Sequence, residues 1–275
     1  FDLPENITPQ SYARPVFDNT DSEYDPAGAV VKTMSGYNAN VMGNISYRVV
    51  DVSNHDVGYS DGLEIKYGAG GEVTIKATAA GIYTISIELT DENYQWADNG
   101  GGTVGGNGDR TLTYTWYVNK TEAHPGLALS DWTYGETPSE AQITLTGDDH
   151  AVYTYHYSGN PNDPNESDIT EQSTAPTEAG EYSLYVTIGS SRNYFSGTSN
   201  TVSFKINRKE VAAPTVEDKT YNGGTQTSGL TGDDGIYTVT SDDGGVNVNS
   251  YTTTLTLANA YNYKWQNESD GVAET

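Results

Sequence analysis

The sequence predicts an all-β chain built of tandem β-sandwich domains. Short runs alternate Thr, Val, Tyr and Ile with polar residues, and no long window repeats apolar residues at helical spacing. At residues 83–89 an apolar side chain occupies every second position, as in a strand with one face in a core. The 22 tyrosines outnumber the 4 phenylalanines, which suits half-exposed β-surfaces. A third observation, a sequence that recurs three times, indicates the tandem arrangement.

The recurring sequence is a glycine or asparagine, a tyrosine two residues later, an alternating strand and an Asn-Tyr pair. Tyrosine and asparagine are 10 residues apart in the first copy and 11 in the other two. Glycine suits a tight corner because it reaches positive φ, which asparagine also tolerates. We expect each tyrosine to bury its ring and return its hydroxyl to the backbone, as in a tyrosine corner. The predicted structural corner residues are Gly81, Tyr83, Gly180, Tyr182, Asn249 and Tyr251.

The copies divide the chain into three predicted domains, at residues 14–121, 122–208 and 209–275. Residues 1–13, which contain two prolines, are predicted to be a linker or the end of a preceding unit. Short polar segments ending in proline follow the first and second domains and suit domain boundaries. These three domains are called the first, second and third repeats below.

Two of the repeats depart from the common pattern. The first is long and contains a glycine-rich segment at 99–108, which we predict to be a long flexible hairpin loop, too polar to pack. The third is short, and only 12 residues follow Tyr263. It is therefore predicted to lack its last strand.

The corner sequence, the Asn-Tyr pair and the endings Val118-Asn119-Lys120 and Ile206-Asn207-Arg208 resemble those of tandem bacterial immunoglobulin-like repeats of the MBG-like kind. Such repeats occur in large surface proteins and adhesins. The resemblance implies tandem immunoglobulin-like β-sandwiches in an elongated arrangement. It also implies an extracellular location, at the cell surface or in the cell wall of a bacterium.

The composition is strongly acidic, with 38 acidic against 13 basic residues and a formal net charge of −25. Such a charge repels nucleic acid and anionic lipid, so we expect neither nucleic-acid binding nor membrane insertion. No cysteine is present, which suits a bacterial exterior or a cytosol and argues against a disulfide-bonded secreted animal domain. The expected partner is an unknown extracellular protein or glycan.

Metal sites receive little support from the sequence. His150 and His156 flank one strand, and six residues of regular strand would hold them roughly 20 Å apart, too far to share zinc. Oxygen-rich loops at 162–168 and at Asp233-Asp234 could bind calcium but lack the EF-hand pattern. We expect plain surface loops and no cofactor, with calcium as the alternative.

No catalytic residue is predicted, because no nucleophile elbow, zinc-protease or phosphate-loop motif occurs, and we expect no enzyme activity. Trp96 and Trp265 each follow the Asn-Tyr pair by two residues. If exposed they could stack on sugar rings, and if buried they would cap the core. The predicted function is therefore a structural or adhesive stalk segment of a bacterial surface or secreted protein. The alternatives are a carbohydrate-binding module or accessory domains of a secreted glycosidase.

Overall fold

The structure is a computed structural model that describes residues 7–52, 58–59, 61–105, 110–147 and 151–266. Within these ranges the chain is all-β, and its one helical piece is a short 3-10 turn at Ala69–Gly71. None of the described residues belongs to a helix long and apolar enough to cross a membrane. The first two repeats are each built of two β-sheets.

The chain forms two compact units. The first comprises Phe1–His124, Leu145–Val152 and Ile188–Thr198, and the second comprises Pro125–Thr144, Tyr153–Thr187 and Ser199–Thr275. The first unit thus combines the first repeat with two segments of the second. The second unit combines the remainder of the second repeat with the third.

The first repeat is a two-layer sandwich. One sheet has the order β11-β12-β9-β5-β6, with the short β3 running parallel to the end of β12, and the opposite sheet has the order β2-β4-β8-β7. β1 pairs in parallel with β10. The strands are β1 (Gln10–Tyr12), β2 (Val16–Phe17), β3 (Ser22–Glu23), β4 (Val30–Ser35), β5 (Ser46–Val50), β6 (Gly58–Tyr59), β7 (Leu63–Tyr67), β8 (Val73–Ala77), β9 (Gly81–Glu88), β10 (Tyr94–Trp96), β11 (Thr103–Val104) and β12 (Thr111–Asn119).

The core of this repeat lies between the two sheets and comes from alternate residues of their central strands. β9 and β12 are the longest strands of this repeat and pair from Glu88 opposite Thr111 to Gly81 opposite Val118. Alternation places the even-numbered apolar residues of β12 inward, among them Trp116, which is fully buried. Apolar burial of this kind is the main stabilising contribution to such a sandwich.

The second repeat has one full sheet and a smaller partner. The full sheet has the order β14-β20-β18-β16-β17, with β14 parallel to β20, and the partner consists of β13 and β15. Trp132 stacks on Phe204 in the core at a centroid distance of 4.9 Å. The strands are β13 (Gly126–Ala128), β14 (Trp132–Thr133), β15 (Gln142–Thr144), β16 (Tyr153–Pro161), β17 (Ile169–Gln172), β18 (Gly180–Ile188), β19 (Gly197–Thr198) and β20 (Val202–Asn207).

The third repeat is much smaller. β21 (Lys209–Val211) pairs in parallel with β24 (Tyr263–Trp265), and β22 (Tyr237–Asp242) pairs with β23 (Thr253–Leu257). No apolar side chain between residues 209 and 266 is buried. Up to residue 266, no strand pairs with β23 in the way that β12 pairs with β9 and β20 with β18. The edge of β23 that would receive a last strand is therefore open in the described part of this repeat.

The glycine-rich segment is held in part by Arg14. Thr103 and Val104 pair with Thr113 and Leu112 to form a hairpin, while residues 106–109 lie outside the described part of the chain. Arg14 donates from Nε to the carbonyl of Ala97 at 2.7 Å and from Nη1 to the carbonyl of Gly102 at 3.2 Å. Residues 100–102 are exposed, and the guanidinium group donates to their backbone carbonyls.

Candidate functional site

The three corner tyrosines each make the same kind of hydrogen bond. Each hydroxyl donates to the backbone carbonyl four residues earlier, over 2.7 Å for Tyr83 and 2.9 Å for Tyr182 and Tyr251. The first two rings are buried, whereas Tyr251 is 43% exposed. Burial raises the pKa of Tyr83 and of Tyr182 to about 12, because it disfavours the charged phenolate. The hydroxyls therefore remain protonated hydrogen-bond donors to a higher pH than an exposed tyrosine would.

The two corner glycines serve another purpose than the one predicted. Neither Gly81 nor Gly180 has positive φ. A Cβ on Gly81 would lie 2.5 Å from Cγ2 of Val49, and a Cβ on Gly180 would lie 2.3 Å from the carbonyl oxygen of Asn160. The expectation of positive φ is wrong because the constraint comes from the neighbouring strand. Glycine is needed at these positions for close backbone approach.

The asparagine of the Asn-Tyr pair joins one repeat to the corner of the repeat before it. In the first unit, Asn193 Oδ1 accepts a hydrogen bond from the backbone amide of Ala80 at 2.8 Å. In the second unit, Asn262 Oδ1 accepts one from the amide of Ala179, also at 2.8 Å. Ala80 and Ala179 each stand three residues before the corner tyrosine, so the two contacts are equivalent. Both asparagines are buried. We call these contacts, with their surroundings, the first and second junctions.

A linking segment enters each junction in the same way. The amide of Thr121 donates to the carbonyl of Asn193 at 3.0 Å, and the amide of Lys209 donates to the carbonyl of Asn262 at 2.8 Å. Each segment then runs parallel to the chain that follows the Asn-Tyr pair, as the Thr121–Tyr194 bridge and the β21–β24 ladder show. The connection between successive repeats is thus a hydrogen-bonded strand, not a free linker.

An edge-to-face tyrosine pair completes each junction. Tyr24 packs against Tyr194 with ring centroids 5.7 Å apart, and Tyr134 packs against Tyr263 with centroids 5.5 Å apart. Tyr24 and Tyr134 hold equivalent positions, because each amide donates to the last residue of its repeat's final strand, Asn119 or Asn207. Such pairs contribute about 0.5 to 1.5 kcal/mol beyond the area they bury.

Basic side chains also form polar contacts at the junctions. Lys120 Nζ lies 3.3 Å from Ser190 Oγ, and Arg208 Nη1 donates to the carbonyl of Ala260 at 3.3 Å. Both residues directly follow the last strand of their repeat, at the ends of the matching sequences Val118-Asn119-Lys120 and Ile206-Asn207-Arg208. In the first junction Arg192 also forms an ion pair with Asp61 at 2.9 Å. The recurring endings therefore act at the contact with the next repeat.

The two tryptophans proposed for ligand stacking lie in different surroundings. Trp96 is 4% exposed, and its Nε1 donates to the carbonyl of Arg110, so its ring is closed to a sugar. Trp265 is half-buried, with its ring centroid 5.7 Å from that of Tyr237. Exposed aromatic side chains occur at other positions, including Tyr67, Phe195 and Tyr221.

The candidate metal ligands bond to other protein groups. His150 lies outside the described residues, while the two ring nitrogens of His156 contact Glu171 and Thr187. In the proposed calcium loop, Asp163 accepts hydrogen bonds from Asn165 within the same loop, and Asp168 accepts one from Asn160. Asp233 pairs through its backbone with Tyr237. Across the described ranges, no three His, Cys, Asp or Glu side chains gather where they could hold a metal ion.

A polar network on the outer face of the second repeat's sheet was not predicted from the sequence. Glu171 Oε1 lies 3.0 Å from His156 Nδ1, and Thr187 Oγ1 lies 2.9 Å from His156 Nε2. Tyr185 stacks on the imidazole at 4.5 Å and donates its hydroxyl to Glu171. These hydrogen bonds lower the pKa of Glu171, with the bond from His156 the largest cause. Adjacent strands bring these four residues together, a contact that local sequence patterns do not show.

Comparison with known proteins gives only distant likenesses. No family model matches the chain, and no curated protein matches it. A titin A168–A169 structure is 11% identical over 70% of this chain and 96% of its own, with a TM-score of 0.29. The Ig1-2 module of the Drosophila receptor tyrosine phosphatase DLAR is 9% identical over 70% and 95%, with a TM-score of 0.21. Titin domains A168–A170 are 10% identical over 91% and 76%, with a TM-score of 0.32. Because these TM-scores are low, the description of the fold rests on the strand topology given above.

Proposed function

We propose that this chain is a structural or adhesive stalk segment of a bacterial cell-surface or secreted protein. In such a protein, the tandem immunoglobulin-like repeats hold a binding element away from the cell wall. The observation that supports this proposal is the junction, which is built twice with the same asparagine, linking strand and tyrosine pair. A chain of independent binding modules has no need to fix each repeat to the corner of the one before it.

The junctions are suited to this role because they are buried and hydrogen-bonded. Asn193 is 6% exposed and Asn262 is 2% exposed. Breaking either contact would leave a buried backbone amide without a partner, which costs about 1 to 3 kcal/mol. The resemblance to bacterial repeats supports the bacterial surface as the location.

Small-angle X-ray scattering of the full chain tests the proposal. We expect the wild-type chain to scatter as a stiff particle, and a variant carrying both Asn193→Ala and Asn262→Ala to show the raised high-angle plateau of a jointed chain. The matched control is Asn93→Ala, which changes the exposed asparagine at the equivalent position of the first repeat. A wild-type curve already typical of a jointed chain would contradict a stalk role.

Carbohydrate binding is the second candidate, and one observation favours it. The outer face of the second repeat's sheet carries the stacked pair His156–Tyr185 beside the Glu171 carboxylate. Sugars are commonly bound by aromatic rings combined with hydrogen-bonding carboxylates. A glycan array tests this candidate. Binding that is lost in Tyr185→Ala and kept in Trp96→Ala would support a sugar site on this face. An array without signal would contradict carbohydrate binding and would not affect the stalk proposal.

A further inference from the structure

Asn222 lies in an exposed turn of the third repeat and is followed by two glycines. Its side-chain Oδ1 accepts a hydrogen bond from the backbone amide of Gly224 at 2.9 Å, which closes an Asx turn. Gly223, between them, has φ of +82°, and apart from its chain neighbours no atom lies within 4 Å of where its Cβ would stand. All three residues are exposed. The turn therefore folds the Asn222 side chain toward the backbone that follows it, in contact with solvent.

An asparagine followed by glycine can lose its side-chain amide in an intramolecular reaction. The backbone nitrogen of the glycine gives its proton to hydroxide, attacks Cγ of the asparagine and closes a five-membered imide. Nδ2 takes a proton from water and leaves as ammonia. Water then opens the ring, at Cγ to give aspartate or at the backbone carbonyl carbon to give isoaspartate. Glycine favours the attack because it has no Cβ to hinder the approach of its nitrogen.

The hydrogen bonds around Asn222 suit each part of this reaction. In the described part of the chain, no hydrogen bond holds the amide of Gly223 or the Nδ2 group of Asn222. The attacking nitrogen and the leaving group are therefore both free. Negative charge develops on Oδ1 during the attack, and Oδ1 is the atom that already accepts the Gly224 amide. A donor placed at a developing oxyanion lowers the barrier of such a step.

We propose that Asn222 is a site of spontaneous modification, at which the folded chain converts an asparagine to aspartate or isoaspartate. Either product adds a negative charge to this exposed turn. Isoaspartate also adds a methylene group to the backbone, which removes the geometry of the hydrogen bond to Gly224. The stalk role does not depend on this modification, because Asn222 belongs to neither junction.

Comparison with other asparagines shows why this site differs. Asn38 and Asn259 form the same turn, each accepting the amide of the residue two positions later, but alanine follows both. Asn99 is followed by Gly100, but in the described part of the chain its side chain accepts no such hydrogen bond. Among the described asparagines, Asn222 alone combines the turn with a following glycine.

Peptide mapping of the wild-type chain tests all four positions at once. The folded chain is kept at mildly alkaline pH in heavy-oxygen water, digested in ordinary water and analysed by mass spectrometry, so that only peptides converted during incubation carry the label. We expect Asn222 to convert about threefold to tenfold faster than Asn99, the rate equivalent of one hydrogen bond made in the transition state. We expect Asn38 and Asn259 to stay unconverted. Equal rates at Asn222 and Asn99 in the folded chain would overturn the proposal.

Denaturant and two variants separate the effect of the turn from that of the dipeptide. In urea the turn is lost, so Asn222 and Asn99 should convert at equal rates, and a difference that persists there would also overturn the proposal. Gly224→Pro removes the donor and should lower the rate at Asn222 in the folded chain to that of Asn99. Gly224→Ala is the matched control, because it keeps the amide and its Cβ would meet only Oδ1 of Asn222, at 3.5 Å. Unchanged conversion in the proline variant would refute the role of the Gly224 amide.

Discussion

The side-chain oxygen of Asn193 lies 2.8 Å from the backbone nitrogen of Ala80, 113 residues earlier in the chain. Ala80 is 1% exposed and directly precedes the glycine of the corner. The corner therefore supports its own repeat through Tyr83 and receives the next repeat through Ala80. A folding element of one repeat is at the same time the attachment point of its neighbour.

Replacing Asn193 with alanine should weaken the first junction. The buried amide of Ala80 loses its acceptor, at a cost of about 1 to 3 kcal/mol. We expect faster hydrogen exchange at Ala80 and a lower melting temperature for the first unit, both measurable on the full chain. The control is Asn93→Ala, because Asn93 is the exposed equivalent and its side chain bonds only to Asp91. Unchanged exchange at Ala80 in the Asn193 variant would contradict the assigned role.

Replacing Gly180 with alanine should destabilise the second repeat. The new Cβ would lie 2.3 Å from the Asn160 oxygen and 2.9 Å from Cα of Pro161, both backbone atoms that cannot move aside cheaply. Overpacking of this kind costs about 1 to 3 kcal/mol. The control is Gly189→Ala, where no atom lies within 4 Å of the added carbon and φ is not positive. Thermal unfolding of the two variants should differ clearly, and equal melting temperatures would refute the steric explanation.

The strands were largely predictable because their signal is local. The alternation at residues 83–89 predicts a strand close to the observed Gly81–Glu88. One face of this strand is buried, so apolar residues recur at every second position of the sequence. The shared corner and its tyrosine followed from the same local repetition.

The junctions were not predictable, because they join residues far apart in the chain. The sequence shows that Asn193 and Asn262 recur but not that they reach back to Ala80 and Ala179. Glycine at position 81 was assigned to positive φ, since the clash with Val49 is visible only once two strands are paired. The sequence contained one indication of the junctions. The Asn-Tyr pair recurs outside the alternating strands, where core packing does not require an asparagine.

Alkaline pH should weaken the corners. Burial raises the pKa of Tyr83 and Tyr182 to about 12, against about 10 for a tyrosine in the unfolded chain. Because the folded value is the higher one, the stabilisation is fully present below about pH 10 and is lost as the pH rises through about 12. The melting temperature should therefore fall across this range.

The comparison chain for this experiment carries both Tyr83→Phe and Tyr182→Phe. It should be less stable at neutral pH, because each change removes a hydrogen bond to a carbonyl, and it should depend less on pH between about 10 and 12. Tyr117→Phe alters a 42% exposed tyrosine and should keep the wild-type profile. Parallel profiles for all three chains would show that the two corner hydroxyls do not cause the alkaline loss.

Replacing Arg14 with alanine should release the glycine-rich segment of the first repeat. The guanidinium group bonds to the carbonyls of Ala97, Gly100 and Gly102, and Gly100 has φ of +120°. Without these contacts, we expect faster hydrogen exchange in peptides covering residues 97–105 and little change in the core strands. Arg110→Ala is the matched control, because its ion pair with Glu88 is long, at 3.9 Å, and such surface pairs contribute about 0 to 1 kcal/mol. Equal exchange in both variants would mean that the hairpin Thr103–Val104 orders the segment without Arg14.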